Sequence, residues 1–367
     1  MSTVQWDFLY LMPHTVVREP IEWEHLAVVG NSDKRLLELV QSQPAVKKLV
    51  TGISGPFGER VHPSAMLIRS DSPERVNYEA ASSFRNAIAI SSIIDAWSTT
   101  LSGGSGHYPW WSDFFDFYSL VASRDGQDLI GRSAVMQSSN SPAKFKGQKA
   151  AYLGELNYVD FGFDVCVLEA CKSVWIKKFT KGKPSKTYTK LFRSLEIACQ
   201  AMRLPSIGSR DISIHQVGVG IALWVSAMEI LAKPPKVDVT RSHVLDLLSR
   251  IDWRKRTLRA RKYQLKSSKN KPFRDTSGKI LKFNFIQKLC AELYRARNDF
   301  LHGNPVTISS VFRSRLIQGS TLLHCAPLIY RAALLAFVQP ELRPDASQTL
   351  LQSLRNRTYE DAVAACR

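Results

Sequence analysis

Acidic residues are scarce in this chain: 32 Asp and Glu stand against 50 Lys and Arg, leaving a formal charge of +18 and a pI near 9.7. A surplus of that size points to an anionic partner, nucleic acid or an acidic membrane surface. Metal-binding patterns are missing as well. The six cysteines, Cys166, Cys171, Cys199, Cys290, Cys325 and Cys366, form no CxxC pair and no finger spacing with His, and the chain has no HExxH and no strong carboxylate cluster. Zinc-finger and zincin chemistry are therefore not expected, and no cofactor is. The cysteines sit mostly among apolar neighbours and read as reduced core thiols of a cytosolic protein. Met1 to His14 lacks the basic start and apolar stretch of a signal peptide. The most apolar segment, Leu322 to Val338, is interrupted by His324, Pro327 and Arg331, and falls short of the roughly 20 residues a bilayer requires. A soluble, cytoplasmic protein without a membrane partner is the expectation.

Disorder is not expected, because 44% hydrophobic and 22% charged residues in 367 are ample for a large core, divided between two domains. Residues 1–140 mix short apolar runs with turn signals at Ser54-Gly55-Pro56, Ser70 to Pro73 and Ser102 to Gly106, which predicts a small α+β domain. One helix is expected from Tyr78 to about Trp97. The aromatic cluster Trp110, Trp111, Phe114, Phe115, Phe117 and Tyr118 could stack bases, although aromatics this dense usually form core. Composition shifts at Gln137 to Pro142, where the boundary is placed, and residues 141–367 carry helical periodicity almost throughout. No tandem repeat is present. Helices are expected at about 163–178, 187–202, 213–232, 242–251, 283–301, 315–338 and 346–364, giving a mainly α fold.

The helix ending at Leu301 carries the strongest chemical pattern. At about 100° per residue, Ile286, Leu289, Cys290, Leu293, Ala296 and Phe300 share one face, with Arg297 in the middle of that apolar stripe. A guanidinium cannot lose its charge, so Arg297 needs a carboxylate, an anionic ligand or a wet interface. Asn298 and His302 are neighbours on an adjoining face, while Arg297 and His302 lie about 140° apart around the axis. A long Arg side chain, fraying at Gly303, or a second copy across a two-fold axis would bring them onto one phosphate. Spacing alone is weak support. Arg and His are favoured in a last helical turn by the dipole, Gly303-Asn304-Pro305 is an ordinary stop, and Arg-x4-His also occurs at Arg210 to His215. Arg210, however, lies in the polar lead-in to a helix that Asp211 or Ser213 would cap, whereas Arg297 interrupts a buried face.

The run Leu293-Tyr294-Arg295-Ala296-Arg297-Asn298-Asp299-Phe300-Leu301-His302-Gly303 resembles the Arg-polar-x3-His signature of HEPN ribonucleases, in particular their abortive-infection (ApeA-like) branch. The run Ile221 to Leu231, apolar with an embedded Glu229, resembles the helix that precedes the signature in that branch. The likeness covers roughly residues 150–340. It implies a C-terminal bundle of four or more helices that forms a homodimer with two signatures facing each other. It further implies metal-independent RNA cleavage by the ribose 2′-hydroxyl, leaving a cyclic phosphate, as in a toxin-like antiviral effector that cuts essential RNA such as tRNA.

Residue chemistry fits that expectation. Imidazole can take or deliver a proton near neutral pH, which assigns His302 to 2′-hydroxyl attack and 5′-oxygen departure. Arg297 would stabilise charge on the non-bridging oxygens, Asn298 would orient the phosphate or His302, and Asp299 is a further candidate for tuning His302. Glu229, the lone charged side chain between Gln216 and Ala232, wants a cationic partner: it contacts Arg297 or the edge of the site, unless it simply lies at the helix end near solvent. Ten basic residues among about twenty, including Arg254, Lys255, Arg256, Arg259, Arg261 and Lys262, interleave with Trp253, Tyr263 and Phe273 as a candidate RNA-binding arm. A non-catalytic RNA-binding or scaffold protein on the same fold is the alternative.

Overall fold

A computed structural model describes residues 5–12, 17, 19–52, 63–72, 78–103, 120–122, 129–131, 162–183, 185–203, 214–234, 238, 241–260, 262–265, 272–274, 278–304, 322–339 and 350–366. The protein is mainly helical, with one small four-stranded antiparallel sheet and a two-stranded pair. It divides into two compact units. One comprises Met1–Phe84, Trp110–Phe161 and Phe179–Lys183, and the other Arg85–Pro109, Gly162–Lys178 and Pro184–Arg367. The boundary expected at Gln137 to Pro142 and the aromatic cluster at Trp110 to Tyr118 both lie outside the described residues.

In the first unit, strands β1 (Trp6–Met12), β2 (Ile21–Trp23), β3 (Leu26–Val29) and β4 (Ser64–Arg69) run in the order β1-β4-β3-β2. All four β3 residues are buried, so the strand reads as a continuous apolar run rather than an alternating one. Helices α1 (Lys34–Ser42) and α2 (Pro44–Gly52) contribute Leu36, Leu39, Val46 and Leu49 to a core shared with Phe8, Leu11, Ala27, Val29, Ala65 and Leu67. Asp33 caps α1 by accepting from the Arg35 backbone N–H at 2.9 Å. The boundary after Phe84 falls inside α3 (Tyr78–Leu101), so Arg85 to Leu101 of that helix belong to the second unit, while β5 (Leu120–Ala122) and β6 (Leu129–Gly131) pair antiparallel in the first.

The second unit holds α4 (Val165–Trp175), α5 (Lys186–Arg203), α6 (Ile214–Ala232), α7 (Arg241–Ser249), the single turn α8 (Arg256–Ala260), α9 (Phe285–Leu301), α10 (Leu322–Val338) and α11 (Leu350–Ala365). A π-helical turn, Ile176–Thr180, follows α4. The central element is α6, against which α5, α7, α9 and α10 all pack. Its nearly uniform hydrophobicity matches that position, since a helix covered on several sides needs no polar face. Ser194 of α5 links three helices by donating to Ala227 O at 2.7 Å and sharing a 2.9 Å hydrogen bond with Tyr330 Oη. Among the described residues, no helix is long and apolar enough to cross a membrane. The apolar segment that begins at Leu322 is instead the buried helix α10, with Pro327 inside it.

Buried Asp164 and Arg331, 2% and 4% exposed, pair between the N-terminus of α4 and the middle of α10. Asp164 also caps α4 through Val167 N, and Arg331 donates to Asn356 Oδ1 at 2.6 Å and lies over the Tyr359 ring of α11. One carboxylate and one guanidinium therefore fix three helices.

His324 stacks on Trp97 at 4.5 Å, and burial pulls its imidazole down to about 4. The folded protein thus binds a proton less readily than the unfolded chain, whose imidazole titrates near 6.5. The resulting stability is fully present above about pH 6.5 and is lost as the pH falls towards 4, roughly 3 kcal/mol in all. Denaturant titrations at pH 7 and pH 4.5 should show that slope for the wild type, and His324→Gln should flatten it. An unchanged slope in the variant would show that other groups control the acid transition.

Candidate functional site

The motif helix α9 starts with a capping box: Gln287 N donates to Asn284 Oδ1 at 2.9 Å, and Asn284 N donates to Gln287 Oε1 at 2.7 Å. The helix was expected to begin at Phe283, but that residue bridges to Tyr263 in an antiparallel pair, which shifts the start to Phe285. At the other end, Gly303 has φ 70, Asn304 N donates to Asp299 O at 2.9 Å, and Gly303 N donates to Phe300 O at 3.4 Å. These two bonds are a Schellman stop, and His302 is its cap residue, exposed to solvent.

Packing on α6 seats this helix end. Gly218 meets the Phe300 ring so closely that a Cβ built on it would lie 2.3 Å from Phe300 Cδ2. Gly218→Ala must therefore displace the ring or the helix, at a cost of about 1–3 kcal/mol. A lower unfolding midpoint in Gly218→Ala, partly restored by adding Phe300→Leu, checks this contact. No loss in the single variant would mean that the two helices slide freely.

Further along the same interface, Arg297 and Glu229 approach each other. Arg297 Nη2 is 4.0 Å from Glu229 Oε2, and the two side chains are 28% and 18% exposed. Arg297 Nη1 donates to Asn298 Oδ1 at 3.2 Å, while Arg297 Nε is buried without an acceptor. The expected carboxylate partner is thus within ion-pair reach, at the long limit of such a contact. A group with a strong acceptor oxygen could compete with Glu229 for the guanidinium.

Comparison with protein-family models, curated proteins and solved structures finds no match. What the residues can do follows from their placement alone.

Arg297, Asn298 and Glu229 come together, whereas His302 stands apart at the helix end. Asp299 accepts from Asn304 Nδ2 at 3.3 Å, so its side chain steadies the turn and does not bond His302. Tyr294, one turn before Arg297 and 3% exposed, was not singled out by its sequence context. Its hydroxyl is buried close to the Glu229 carboxylate. Burial pushes the phenol far up, with Cys290 and then Glu229 adding to it. Tyr294 therefore stays a neutral donor beside the Glu229 and Arg297 pair. Its position at i−3 from Arg297 was the available signal, although the same spacing suits any core tyrosine. Arg241 of α7, half-buried over the Phe273 ring at 4.9 Å, has its guanidinium drawn down by desolvation. The competing motif is not comparable, because Arg210 and the side chain of His215 lie outside the described residues, as do the expected caps Asp211 and Ser213.

The described residues of the basic segment before α9 pack against the helical unit. Trp253 is 4% exposed and stacks on Tyr359 with centroids 6.1 Å apart. Tyr263 tilts against Phe285 and Phe273 meets Phe283 edge-on, both at 5.7 Å. The aromatics expected to interleave for base stacking are used in packing, since each finds an apolar neighbour within the same unit. Glu360 of α11 accepts from the backbone N–H groups of Arg254 and Lys255 at 2.9 and 2.6 Å, and Lys255 Nζ pairs with Asp361. Arg259 donates to the carbonyls of Trp253 and Arg254, which leaves the side chains of Arg254, Arg256, Arg259 and Lys262 on the surface. Arg261 lies outside the described residues. No group of three His, Cys, Asp or Glu that could hold a metal is found among the described residues.

Proposed function

We propose that this protein is a metal-independent endoribonuclease of the HEPN type, a cytoplasmic, toxin-like effector that cuts essential RNA such as tRNA. The observation that carries the reading is Arg297: a permanent cation on the apolar face of α9, bonded to Asn298 and only loosely matched by Glu229. An RNA phosphate supplies the acceptor oxygens that such a guanidinium lacks. Arg297 stabilises charge on the non-bridging oxygens, and Asn298 keeps the guanidinium oriented. His302 removes the proton from the 2′-hydroxyl, whose oxygen attacks phosphorus, and an imidazolium protonates the departing 5′-oxygen. A 2′,3′-cyclic phosphate and a 5′-hydroxyl remain. DNA, without the 2′-hydroxyl, is not cut.

Two such clefts form in a homodimer, where the partner copy brings its own motif against the first. This arrangement answers the separation of about 140° between Arg297 and His302. The surface cations of the basic segment hold RNA at a distance. Tyr263 and Phe283 pair at the start of the 17-residue α9 and His302 caps its end, about 25 Å away along the axis. An RNA engaging both ends spans several nucleotides.

The second reading, a non-catalytic RNA-binding or scaffold protein, rests on the place of His302, whose side chain makes no hydrogen bond or ion pair among the described residues. One assay separates the two: purified protein with total RNA and excess chelator, comparing wild type with His302→Ala. Cleavage by the wild type, with cyclic-phosphate ends and lost in the variant, supports the nuclease. Cleavage that persists in the variant or requires a divalent metal overturns it, and binding without cleavage supports the second reading.

A further inference from the structure

A chemically distinct pair lies between α10 and α11. Cys325 is in the first turn of α10, and Cys366 directly follows the last residue of α11. Their sulfurs are 3.2 Å apart, and the two residues are 1% and 4% exposed. Only about 1 Å of further approach separates this contact from a covalent bond of about 2.05 Å. Neighbouring contacts hold the two helices in that register. Tyr359 Oη donates to Leu328 O at 3.0 Å, and Arg331 of α10 bonds Asn356 of α11 at 2.6 Å.

We propose that Cys325 and Cys366 are a reversible disulfide site that locks α11 onto α10, with a low-molecular-weight disulfide such as oxidised glutathione as oxidant. This inference does not depend on the nuclease reading. Cys366 N is held by carbonyls one turn back, Ala362 O and Val363 O, each at 3.2 Å, and helix ends open most readily. In the opened turn, the Cys366 thiolate attacks one sulfur of oxidised glutathione, forms a mixed disulfide and releases one glutathione thiolate. When the turn closes, Cys325 gives up its proton, attacks Cys366 Sγ and expels the second glutathione. Two protein thiols are oxidised, one glutathione disulfide is reduced, and the protons pass to the released thiolates. Cys290 does not compete, because full burial pushes its thiol up to about 12.

The lock reaches the basic segment, because α11 also carries Glu360 and Asp361, the carboxylates that hold Arg254 and Lys255. Oxidation therefore steadies that segment without touching its exposed cations.

The test incubates the full-length, reduced protein with excess oxidised glutathione under native conditions and maps non-reduced tryptic peptides. A cross-link joining the Cys325 and Cys366 peptides is expected, with a rise of about 5 °C in the unfolding midpoint that dithiothreitol reverses. Hydrogen exchange should slow at 352–366 and at 254–260. Cys366→Ser, melting like the reduced wild type, should abolish the cross-link and the rise, while Cys166→Ser keeps both. The proposal is overturned if circular dichroism shows native protein but no such cross-link forms, or if glutathione remains on Cys366 unresolved. A cross-link to another cysteine, or one that leaves the midpoint and exchange unchanged, also overturns it.

Discussion

Asp164→Ala is expected to destabilise the helical unit by about 3–5 kcal/mol, because it leaves the Arg331 guanidinium buried without its charge partner. A lost cap adds to this: Val167 N donates to Asp164 Oδ1 at 3.0 Å, and removal of an N-cap acceptor costs about 1 kcal/mol. Asn356 continues to accept from Arg331, but a neutral amide does not balance a buried charge. Pairing Asp164→Asn with Arg331→Met keeps the cap acceptor and removes both charges, so most of the stability should return. Denaturant midpoints for the single and double variants check the argument. If Asp164→Ala were as stable as the wild type, water would have to reach Arg331 in a core where its side chain is 4% exposed.

The same residues show what the sequence could and could not convey. Arg331 stood out only as an interruption of an apolar segment, and nothing local names Asp164, which is 167 positions away. Long-range partners of this kind depend on how helices pack, and so do the register of β3 on β4 and the seat of Phe300 on Gly218. Periodicity speaks only about one helix at a time. Within that range it was informative: Ile286, Leu289, Cys290, Leu293 and Ala296 are all buried along α9. The isolated charge of Glu229 in an apolar run was a second legible signal: the side chain is only partly exposed, and the Arg297 guanidinium lies 4.0 Å from it. The basic segment was read from charge and aromatic content alone. Its packing on α11 rests on Glu360 and Asp361, about a hundred residues further along the chain. Composition cannot distinguish an aromatic that stacks on RNA from one that stacks on Tyr359.

Arg297→Ala and His302→Ala should each lower the rate of RNA cleavage by about 10²–10⁴ while leaving the unfolding midpoint nearly unchanged. His302 is exposed and Arg297 makes only a long, partly exposed pair with Glu229, so neither truncation removes much native stability. Their combination is more informative than either alone. If each cleft takes Arg297 from one copy and His302 from the other, a mixed dimer of the two variants contains one intact cleft and one doubly defective cleft. Random reassociation makes half the dimers mixed, so an equimolar mixture of two inactive proteins should recover about a quarter of wild-type activity. If a cleft instead needs His302 from both copies, to take and to deliver the proton, no mixed dimer is complete and activity stays at the level of the single variants. Recovery above about a quarter would contradict both arrangements, and a protein that sediments as a strict monomer while cleaving at full rate would place Arg297 and His302 on one phosphate within a single chain.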